Sequence, residues 1–210
     1  MLRYIYADDL NRFPQLRDSM FRDRANQFKE RLDWDVDVDA NGHEIDEYDR
    51  LNPLYAIWQE RDGSHGGSMR ILPTVGDTMV NDHFLGLTGG VAITSPLIWE
   101  VTRFCISPSA SNGVAAKLSL ALAEIGCSCH LDHFVGVFDA RMILIYRRLG
   151  WSPTVIGTSG EGRNAISVGL WEVSQATRDD LCARSGIHPA TSAGWISAAF
   201  GPRELLAKSA

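Results

Sequence analysis

The 210-residue chain has a length that suits one α/β domain with a sizeable core. Hydrophobic residues make up 45% and charged residues 22%, as in an ordinary globular protein, and the formal net charge of −6 argues against nucleic acid as the main partner, because phosphate binding needs a basic face. No apolar run approaches the roughly 18 residues of a membrane span, and the first residues contain no apolar signal core, so we expect a cytoplasmic protein without a membrane span.

The first half of the chain predicts a helix, an acidic loop and a β-hairpin. Apolar residues recur at helical spacing from residue 10 to residue 30, and a dense run of acids from residue 33 to residue 49 indicates a loop. Two short apolar segments, 54–58 and 68–72, flank a Gly-rich turn and are typical of paired strands.

The second half alternates helices and strands. The predicted elements, in chain order, are a short helix over 81–87, a core strand over 97–106, a helix over 113–129, a strand over 134–138, a helix over 140–149, strands over 154–156 and 166–171 around a Gly-rich turn, and a helix from the cap Ser174 towards Arg184. This order predicts a single α/β domain over 1–188, with a mixed central sheet flanked by helices on both faces. The Ala-, Ser- and Gly-rich residues 189–210 predict a loosely held C-terminal extension.

Two of the four cysteines lie close to histidines. Cys127 and Cys129 precede His130 and His133, but neither a C-x2-C nor an H-x3-H spacing is present. We therefore expect no metal site and interpret these cysteines as reduced, partly buried thiols.

The segment from Trp99 to Phe104 is the most informative part of the sequence. It places a carboxylate, Glu100, and a guanidinium, Arg103, three residues apart in a predicted buried strand. Ionised groups are costly to bury unless they are paired or used. Three residues apart, the two side chains face opposite sides of a regular strand, so both reach one site only if the strand bulges or splays there. The alternative is one buried ion pair and one surface charge.

The predicted N-terminal helix and the residues after it contain an arginine and two aromatic residues at suggestive spacing. Arg24 and Phe28 share a helix face, and Trp34 follows six residues later. Aromatic faces attract a desolvated cation, and an arginine clamps a carboxylate with two charge-assisted bonds. The set therefore fits either a pocket for a charged ligand or a solvated arginine beside two core aromatics.

The acidic stretch contains two candidate ligand-binding carboxylates, Asp46 and Asp49, just before a predicted strand. Carboxylates gathered near an aromatic pocket suit an ammonium or sulfonium ligand. A solvated acidic loop is the alternative.

Nine positions together resemble the LuxI-type acyl-homoserine-lactone synthases over about residues 3–173. That family has an N-terminal Arg, Phe and Trp, then two acids, then Arg, Phe and a final Glu-x-x-Arg. Here the matching residues are Arg24, Phe28, Trp34, Asp46, Asp49, Arg70, Phe84, Glu100 and Arg103.

The resemblance implies an α/β fold similar to the N-acyltransferases of the GNAT class, and an enzyme that makes a quorum-sensing signal. In that reaction the amine of S-adenosylmethionine is acylated by an acyl carrier protein or acyl-CoA thioester, and lactonisation then releases methylthioadenosine. S-adenosylmethionine is a substrate, so no cofactor and no metal are expected. The implied catalytic group is Glu100 as general base, with Asp46 and Arg103. The residues implied to bind S-adenosylmethionine are Arg24, Phe28, Trp34, Asp46, Asp49, Arg70 and Arg103.

An acyl chain needs an apolar slot between core elements. The candidates from the core strands, the neighbouring helices and the family pattern are Phe84, Phe104, Leu118, Val137, Phe138, Met142 and Leu170.

Two other functions compete with this interpretation. An ordinary GNAT-type acyl-CoA N-acyltransferase acting on another small amine usually has a Gly-rich pyrophosphate loop, whereas residues 107–115 here contain a single glycine. A non-catalytic binding module has no need for Glu100, Arg103, Arg70 and two aspartates together.

Overall fold

A seven-stranded sheet runs through the computed structural model of the chain, which describes residues 1–201. The strands lie in the order β1-β2-β3-β4-β5-β7-β6, and within this sheet β4 and β5 alone are parallel neighbours. Their bounds are β1 Leu2–Tyr6, β2 Leu54–Gln59, β3 His65–Pro73, β4 Ile98–Ile106, β5 His133–Asp139, β6 Thr154–Ser159 and β7 Ile166–Glu172.

Within residues 1–201, six α-helices cover the sheet. They are α1 Pro14–Ala25, α2 Met79–His83, α3 Val114–Ser128, α4 Met142–Leu149, α5 Gln175–Ser185 and α6 Pro189–Phe200. A π-helical turn, Asn26–Arg31, continues α1, and a 3-10 turn, Glu47–Arg50, ends the acidic loop. Pro14 occupies the first turn of α1, where its missing N–H costs nothing, and Gly150 ends α4 in the left-handed conformation with a φ of 83°.

The predicted mixed sheet with helices on both faces is confirmed. One face packs against α3 to α6 around a core that includes Leu118 and Phe134. The other face packs against α1 around Met20 and Tyr55, and against α2 around Val80. All charged residues of the candidate site lie on the face of α1 and α2.

The C-terminal region differs from the prediction. Instead of a loosely held extension, the described residues from 189 form α6, in which Ser192 and Ile196 are fully buried. His188 caps the helix and Pro189 starts it, while Trp195, Ile196 and Phe200 pack it against the core. The prediction of a loose tail is therefore wrong for Pro189–Phe200, and its remainder, 202–210, lies outside the described residues. Strand β1 was not predicted.

A bulge in β4 decides where Arg103 points. Ser68 of β3 pairs with Cys105, and Arg70 pairs with Thr102, so two residues of β4 face one residue of β3. Arg103 is one of these two residues and adopts the left-handed conformation, with a φ of 53°. The sequence predicted that Glu100 and Arg103 reach one site only through a bulge or splay, and the structure has the bulge.

The parallel pairing between β4 and β5 is short. It covers three residue pairs and ends at Glu100 and Val135, after which β5 continues to pair with β7. Gly136 follows directly, and a Cβ there would lie 3.0 Å from the carbonyl oxygen of Val101. The gap in the ladder therefore opens beside Glu100.

Helix α1 is fixed on the sheet by a stripe of polar residues four apart, which share one helix face. The Gln15 side chain donates to the Asp62 carbonyl at 3.1 Å, and the Ser19 hydroxyl accepts the His65 N–H at 3.0 Å. The Asp23 carboxylate lies 2.7 Å from His65 Nδ1. Since Asp23 precedes Arg24, this stripe sets the position of Arg24 on the sheet.

Candidate active site

Three arginines and three carboxylates form one ion-pair cluster between α1, the acidic loop and strands β3 and β4. Their formal charges cancel. The members are Arg24, Arg70, Arg103, Glu44, Asp46 and Asp49.

Arg24 is held on three sides. Its two terminal nitrogens donate to the two oxygens of Asp49 at 3.0 and 2.9 Å, and its Nε donates to Glu44 at 2.6 Å. Burial alone lowers the pKa of Arg24, but the two carboxylates outweigh it and hold that pKa well above its ordinary value. Arg24 is only 1% exposed, so a ligand at the surface does not reach it.

Asp49 joins Arg24 to Arg70. It lies 3.0 Å from Arg70 and accepts a hydrogen bond from the Tyr55 hydroxyl. Burial raises the pKa of Asp49, but the arginines Arg24 and Arg70 overcome this and hold it far below its usual range. The backbone N–H of Asp46 also donates to Asp49, at 2.9 Å, in a capping box that starts the 3-10 turn.

Arg70 presents both terminal nitrogens to Asp46, one of them at 2.9 Å, and its Nε donates to the Thr102 hydroxyl at 3.0 Å. Its guanidinium carbon lies 5.3 Å from the ring centre of Tyr48. Arg70 is as deeply buried as Arg24. These contacts use its donors within the protein.

Arg103 reaches the same cluster from the bulge. It donates to Glu44 at 3.0 Å and to Asp46 at 2.7 Å, and its guanidinium carbon lies 5.4 Å from the ring centre of Phe28. The indole of Trp34 stacks on Phe28 at 5.1 Å, with 18° between the rings. The side chain of Arg103 is 10% exposed and that of Asp46 is 14%, while Trp34 is 38% exposed.

The site therefore has two layers. We call Arg24, Glu44, Asp49 and Arg70 the floor, because they are buried and their charged groups are paired within the cluster. We call Trp34, Asp46 and Arg103 the rim, because they border solvent. Phe28, 3% exposed, lies under the rim.

Glu100 lies on the same face but forms no ion pair of 4 Å or less in the described part of the chain. Its two oxygens accept the N–H groups of Met79 at 3.1 Å and Val80 at 2.6 Å, at the start of α2. Burial raises the pKa of Glu100 to about 7, although these two N–H groups and Arg70 pull it down. A carboxylate with a pKa near 7 is suited to take up and release a proton at neutral pH.

The predicted acyl-chain residues do not form one group. Val137 and Phe138 are consecutive in β5 and so point to opposite faces. Phe84, Val137 and Leu170 pack around Val80 and Val135 on the face of Glu100, whereas Phe104, Leu118, Phe138 and Met142 belong to the core on the other face. A single pocket containing all seven would have to pass through the sheet.

Sequence reasoning missed two side chains of this site, Glu44 and Tyr48. Glu44 is 1% exposed and joins Arg24 to Arg103. Its spacing of two from Asp46 was visible in the acidic run, but nothing in that run shows which acids are buried. Tyr48 supports Arg70 from the 3-10 turn.

In residues 1–201, no three His, Cys, Asp or Glu side chains come together as a set of metal ligands. None of the helices in that range combines the length and apolar character that a membrane crossing needs.

Comparison with known proteins assigns the chain to a family. Residues 9–181 match the family model described as autoinducer synthase. An acyl-homoserine-lactone synthase of Rhizobium etli is 38% identical over 181 residues, which cover 83% of this chain and 85% of that protein. One of Agrobacterium fabrum is 31% identical over 189 residues, which cover 85% and 89%.

A solved structure shares the fold. The CoA-dependent acyl-homoserine lactone synthase BjaI, solved with SAM and isopentyl-CoA, superposes with a TM-score of 0.80 at 22% identity and covers 91% of each chain. The seven-stranded sheet and its covering helices are thus a fold shared with that solved synthase. The chain belongs to the autoinducer synthase family, so it is an acyltransferase of the acyl-homoserine-lactone synthase type.

Proposed function

We propose that this enzyme acylates the amine of S-adenosylmethionine from an acyl carrier protein or acyl-CoA thioester and then closes the homoserine lactone. The observation that carries this proposal is Glu100, a buried carboxylate with a pKa of about 7, raised by burial, beside a rim that attracts charged groups. BjaI, which shares the fold, was solved with SAM and isopentyl-CoA, and this supports the same two substrates here.

The rim suits the head of S-adenosylmethionine. The Asp46 carboxylate and the Arg103 guanidinium are 2.7 Å apart and neutralise each other. An amino acid head carries one ammonium and one carboxylate. When it binds, its ammonium pairs with Asp46 and its carboxylate pairs with Arg103, so the ion pair between these two residues is replaced without a change in net charge. The sulfonium then lies against the exposed face of Trp34, where an aromatic face contributes about 0.5–2 kcal/mol, and Phe28 supports that indole from below.

In this proposal the floor residues act through the rim. Arg24 and Asp49 hold Glu44 and Arg70, and these in turn orient Arg103 and Asp46. Arg24, Asp49 and Arg70 are thus positioning residues rather than direct ligands, since their donors and acceptors are already used and they are buried.

The chemistry has two steps. Glu100, acting through a water molecule, takes a proton from the substrate ammonium, and the free amine attacks the thioester carbonyl. The new amide bond forms as the carbon–sulfur bond of the thioester breaks, and the thiol leaves with a proton. The methionine carboxylate then attacks its own γ-carbon, and the carbon–sulfur bond to the sulfonium breaks to release methylthioadenosine. The second step needs mainly positioning, because nucleophile and leaving group are in one molecule.

We place the acyl chain at the gap where β4 and β5 stop pairing. This gap opens beside Glu100 and borders the apolar group of Phe84, Val137 and Leu170. Phe104, Leu118, Phe138 and Met142 line a path only if the chain passes between the two strands to the other face. Each methylene buried there contributes about 0.8 kcal/mol.

The test is reconstitution with purified protein. S-adenosylmethionine is supplied with one acyl chain as its CoA thioester or as its acyl carrier protein thioester, and mass spectrometry follows acyl-homoserine lactone and methylthioadenosine. We expect the two products in equal amounts from at least one donor. Acylation of other small amines without lactone or methylthioadenosine would support an ordinary N-acyltransferase instead.

A further inference from the structure

Helix α2 is tied to the rest of the site at both of its ends. At its start, the N–H groups of Met79 and Val80 donate to Glu100. Near its end, Asp82 accepts a hydrogen bond of 2.9 Å from the hydroxyl of Tyr48, which lies in the 3-10 turn of the acidic loop. The carboxylate that we propose as the base is thus linked, through five helical residues, to the loop that supplies Asp46 and Asp49.

Tyr48 also contacts the floor. It is 3% exposed, and the guanidinium of Arg70 lies over its ring, 5.3 Å from the centre. Arg70 in turn holds Asp46 with both terminal nitrogens. One side chain therefore contacts both the ion-pair cluster and the helix that caps Glu100.

A helix as short as α2 is not stable by itself, because the nucleation cost is not recovered over one turn. Its position over Glu100 must come from tertiary contacts. Val80 packs into the core beneath it, and the Tyr48–Asp82 hydrogen bond fixes the exposed side, where a charged acceptor makes that bond stronger than a neutral one.

We propose that Tyr48 and Asp82 are positioning residues that hold the first turn of α2 on Glu100 and so couple the base to the S-adenosylmethionine site. The proposal rests on Glu100 being the base of the proposed function. Neither residue touches the reacting atoms.

The two residues act on Glu100 in different ways. The titratable groups that face it include Arg70 on β3, Asp82 on α2 and Tyr48 in the 3-10 turn, of which Arg70 and Asp82 are charged at neutral pH. The Asp82 charge is a small additional cause of the raised pKa of Glu100, of which burial is the largest, whereas the two N–H groups of α2 lower that pKa. Removing the Asp82 charge therefore favours the ionised form of Glu100, while loosening α2 disfavours it.

This difference gives the experiment its design. Tyr48→Phe removes the hydroxyl but keeps the Asp82 charge, and Asp82→Asn removes the charge but keeps an acceptor for the hydroxyl. Asp77→Asn is the matched control, because Asp77 is an exposed acid just before α2 for which no partner is found in residues 1–201. Two quantities are measured in each variant: the pH dependence of kcat/KM, and the hydrogen-exchange rates of the Met79 and Val80 amides.

In Tyr48→Phe we expect the acid limb of the pH profile to move to higher pH and the two amides to exchange about three- to tenfold faster, the effect of one lost hydrogen bond. In Asp82→Asn the acid limb moves to lower pH, and the two amides exchange faster than in wild type but less so than in Tyr48→Phe, because the amide oxygen still accepts from the Tyr48 hydroxyl, more weakly than a carboxylate. Asp77→Asn changes neither quantity.

Unchanged exchange in Tyr48→Phe would overturn the proposal, and so would an acid limb that moves in the same direction in both variants. The exchange rates need no turnover, so they test the coupling of Tyr48 to α2 even if Glu100→Gln shows that Glu100 is not the base. Failure of the proposed function and failure of this inference are thus separate results.

Discussion

Two groups of buried charge lie on opposite faces of the sheet, and they differ in how they border solvent and in the acid that lies near them. On the face of α3 to α6, Arg178 donates to Glu124 at 2.9 Å and to the Pro189 carbonyl at 3.2 Å, and the Ser192 hydroxyl donates to Glu124 at 2.8 Å. This group joins α3, α5 and α6 through three buried side chains, and Arg178 also donates to the exposed Asp179 beside it at 3.0 Å. The cluster on the other face is built from similar pairs but ends in the rim, where Asp46, Arg103 and Trp34 border solvent.

The comparison shows that buried ion pairs do not by themselves indicate a site. Both groups pair arginines with carboxylates, as buried charges require. The cluster on the face of α1 borders solvent with an ion pair and an aromatic ring together, whereas the group around Glu124 has one exposed carboxylate, Asp179. A nearby acid, Glu100, has backbone N–H groups as partners instead of an arginine. We therefore interpret the group around Glu124 as structural and propose the cluster with the rim as the place for a charged substrate.

The largest expected effect separates the two buried glutamates. Glu100→Gln should retain the fold and lower kcat by about 10²- to 10⁴-fold, the usual loss when a general base is removed. Glu124→Gln is the matched control, and we expect it to lower the free energy of unfolding while the folded enzyme keeps its kcat. Steady-state kinetics and urea unfolding of both variants measure this. Near-normal turnover in Glu100→Gln would remove Glu100 from the mechanism.

Substitution of one arginine in each group compares the two groups by the free energy of unfolding and by substrate binding. Arg178→Ala leaves Glu124 buried without its arginine, so we expect a loss of about 3–5 kcal/mol in the free energy of unfolding. Binding of S-adenosylmethionine by the folded protein should be unchanged. Arg24→Ala should cost a similar amount and also weaken that binding, because the floor orients the rim.

The double variant Glu124→Leu with Arg178→Met removes both charges, and this apolar pair of similar volume should restore much of the stability. It shows whether the loss in Arg178→Ala comes from the buried charge that remains. Urea unfolding and calorimetric titration measure both quantities. If Arg178→Ala weakened binding as much as Arg24→Ala did, the two faces would not be functionally separate.

The pH dependence of stability distinguishes Glu100 from the paired acids. Burial raises the pKa of Glu100 from 4.5 to about 7, so the folded protein holds a proton that the unfolded chain releases, and stability falls as the pH rises through this window. The loss amounts to at most roughly 3 kcal/mol. The contribution of Asp49 to stability changes with pH in the opposite direction. Because its pKa is lowered in the folded protein, stability falls as the pH drops below about 4. Urea titrations between pH 4 and 8 should show the first slope in wild type and not in Glu100→Gln; an equal slope in that variant would contradict the assignment.

The smallest effect is expected at the rim. Trp34→Ala should reduce the affinity for S-adenosylmethionine by about 2- to 30-fold, the value of one cation–π contact, because the exposed indole stacks on Phe28. Stability should change by less than about 0.5 kcal/mol, as at other exposed positions. Trp34→Phe retains an aromatic face and should recover most of the affinity. Calorimetry that finds equal affinity in wild type and Trp34→Ala would place the sulfonium elsewhere.

Most of the architecture was predictable, and the reasons for the exceptions are physical. Periodicity and turn residues located strands β2 to β7. The alternation of side chains along a strand left two possibilities for Glu100 and Arg103, and the structure has the bulge, at Arg103 and Phe104. The tail was misjudged because the prediction rested on its content of Ala, Ser and Gly, whereas Trp195, Ile196 and Phe200 pack α6 against the core.

The residues of the site were predictable as a set, but not their arrangement in layers. The family resemblance brought Arg24, Asp46, Asp49 and Arg103 into one set, yet it does not show which of them are buried, because burial depends on contacts between distant segments. Arg24 and Glu44 are 20 residues apart, and Arg103 and Glu44 are 59 apart. The acyl-chain set failed for a related reason: apolar composition does not tell the two faces of a sheet apart, and only the alternation of Val137 and Phe138 could have divided it.

The polar stripe of α1 has a consequence for exchanging segments between relatives. A helix held by apolar contacts tolerates small rotations, because such contacts are non-directional. The hydrogen bonds that join Gln15, Ser19 and Asp23 to residues 62 and 65 restrict both rotation and sliding of the helix, since the strength of a hydrogen bond falls steeply with angle. The turn between β2 and β3, together with the first residue of β3, thus fixes the position of Arg24. A graft that replaces this turn should carry the matching α1 residues with it, even though none of them lies in the active site.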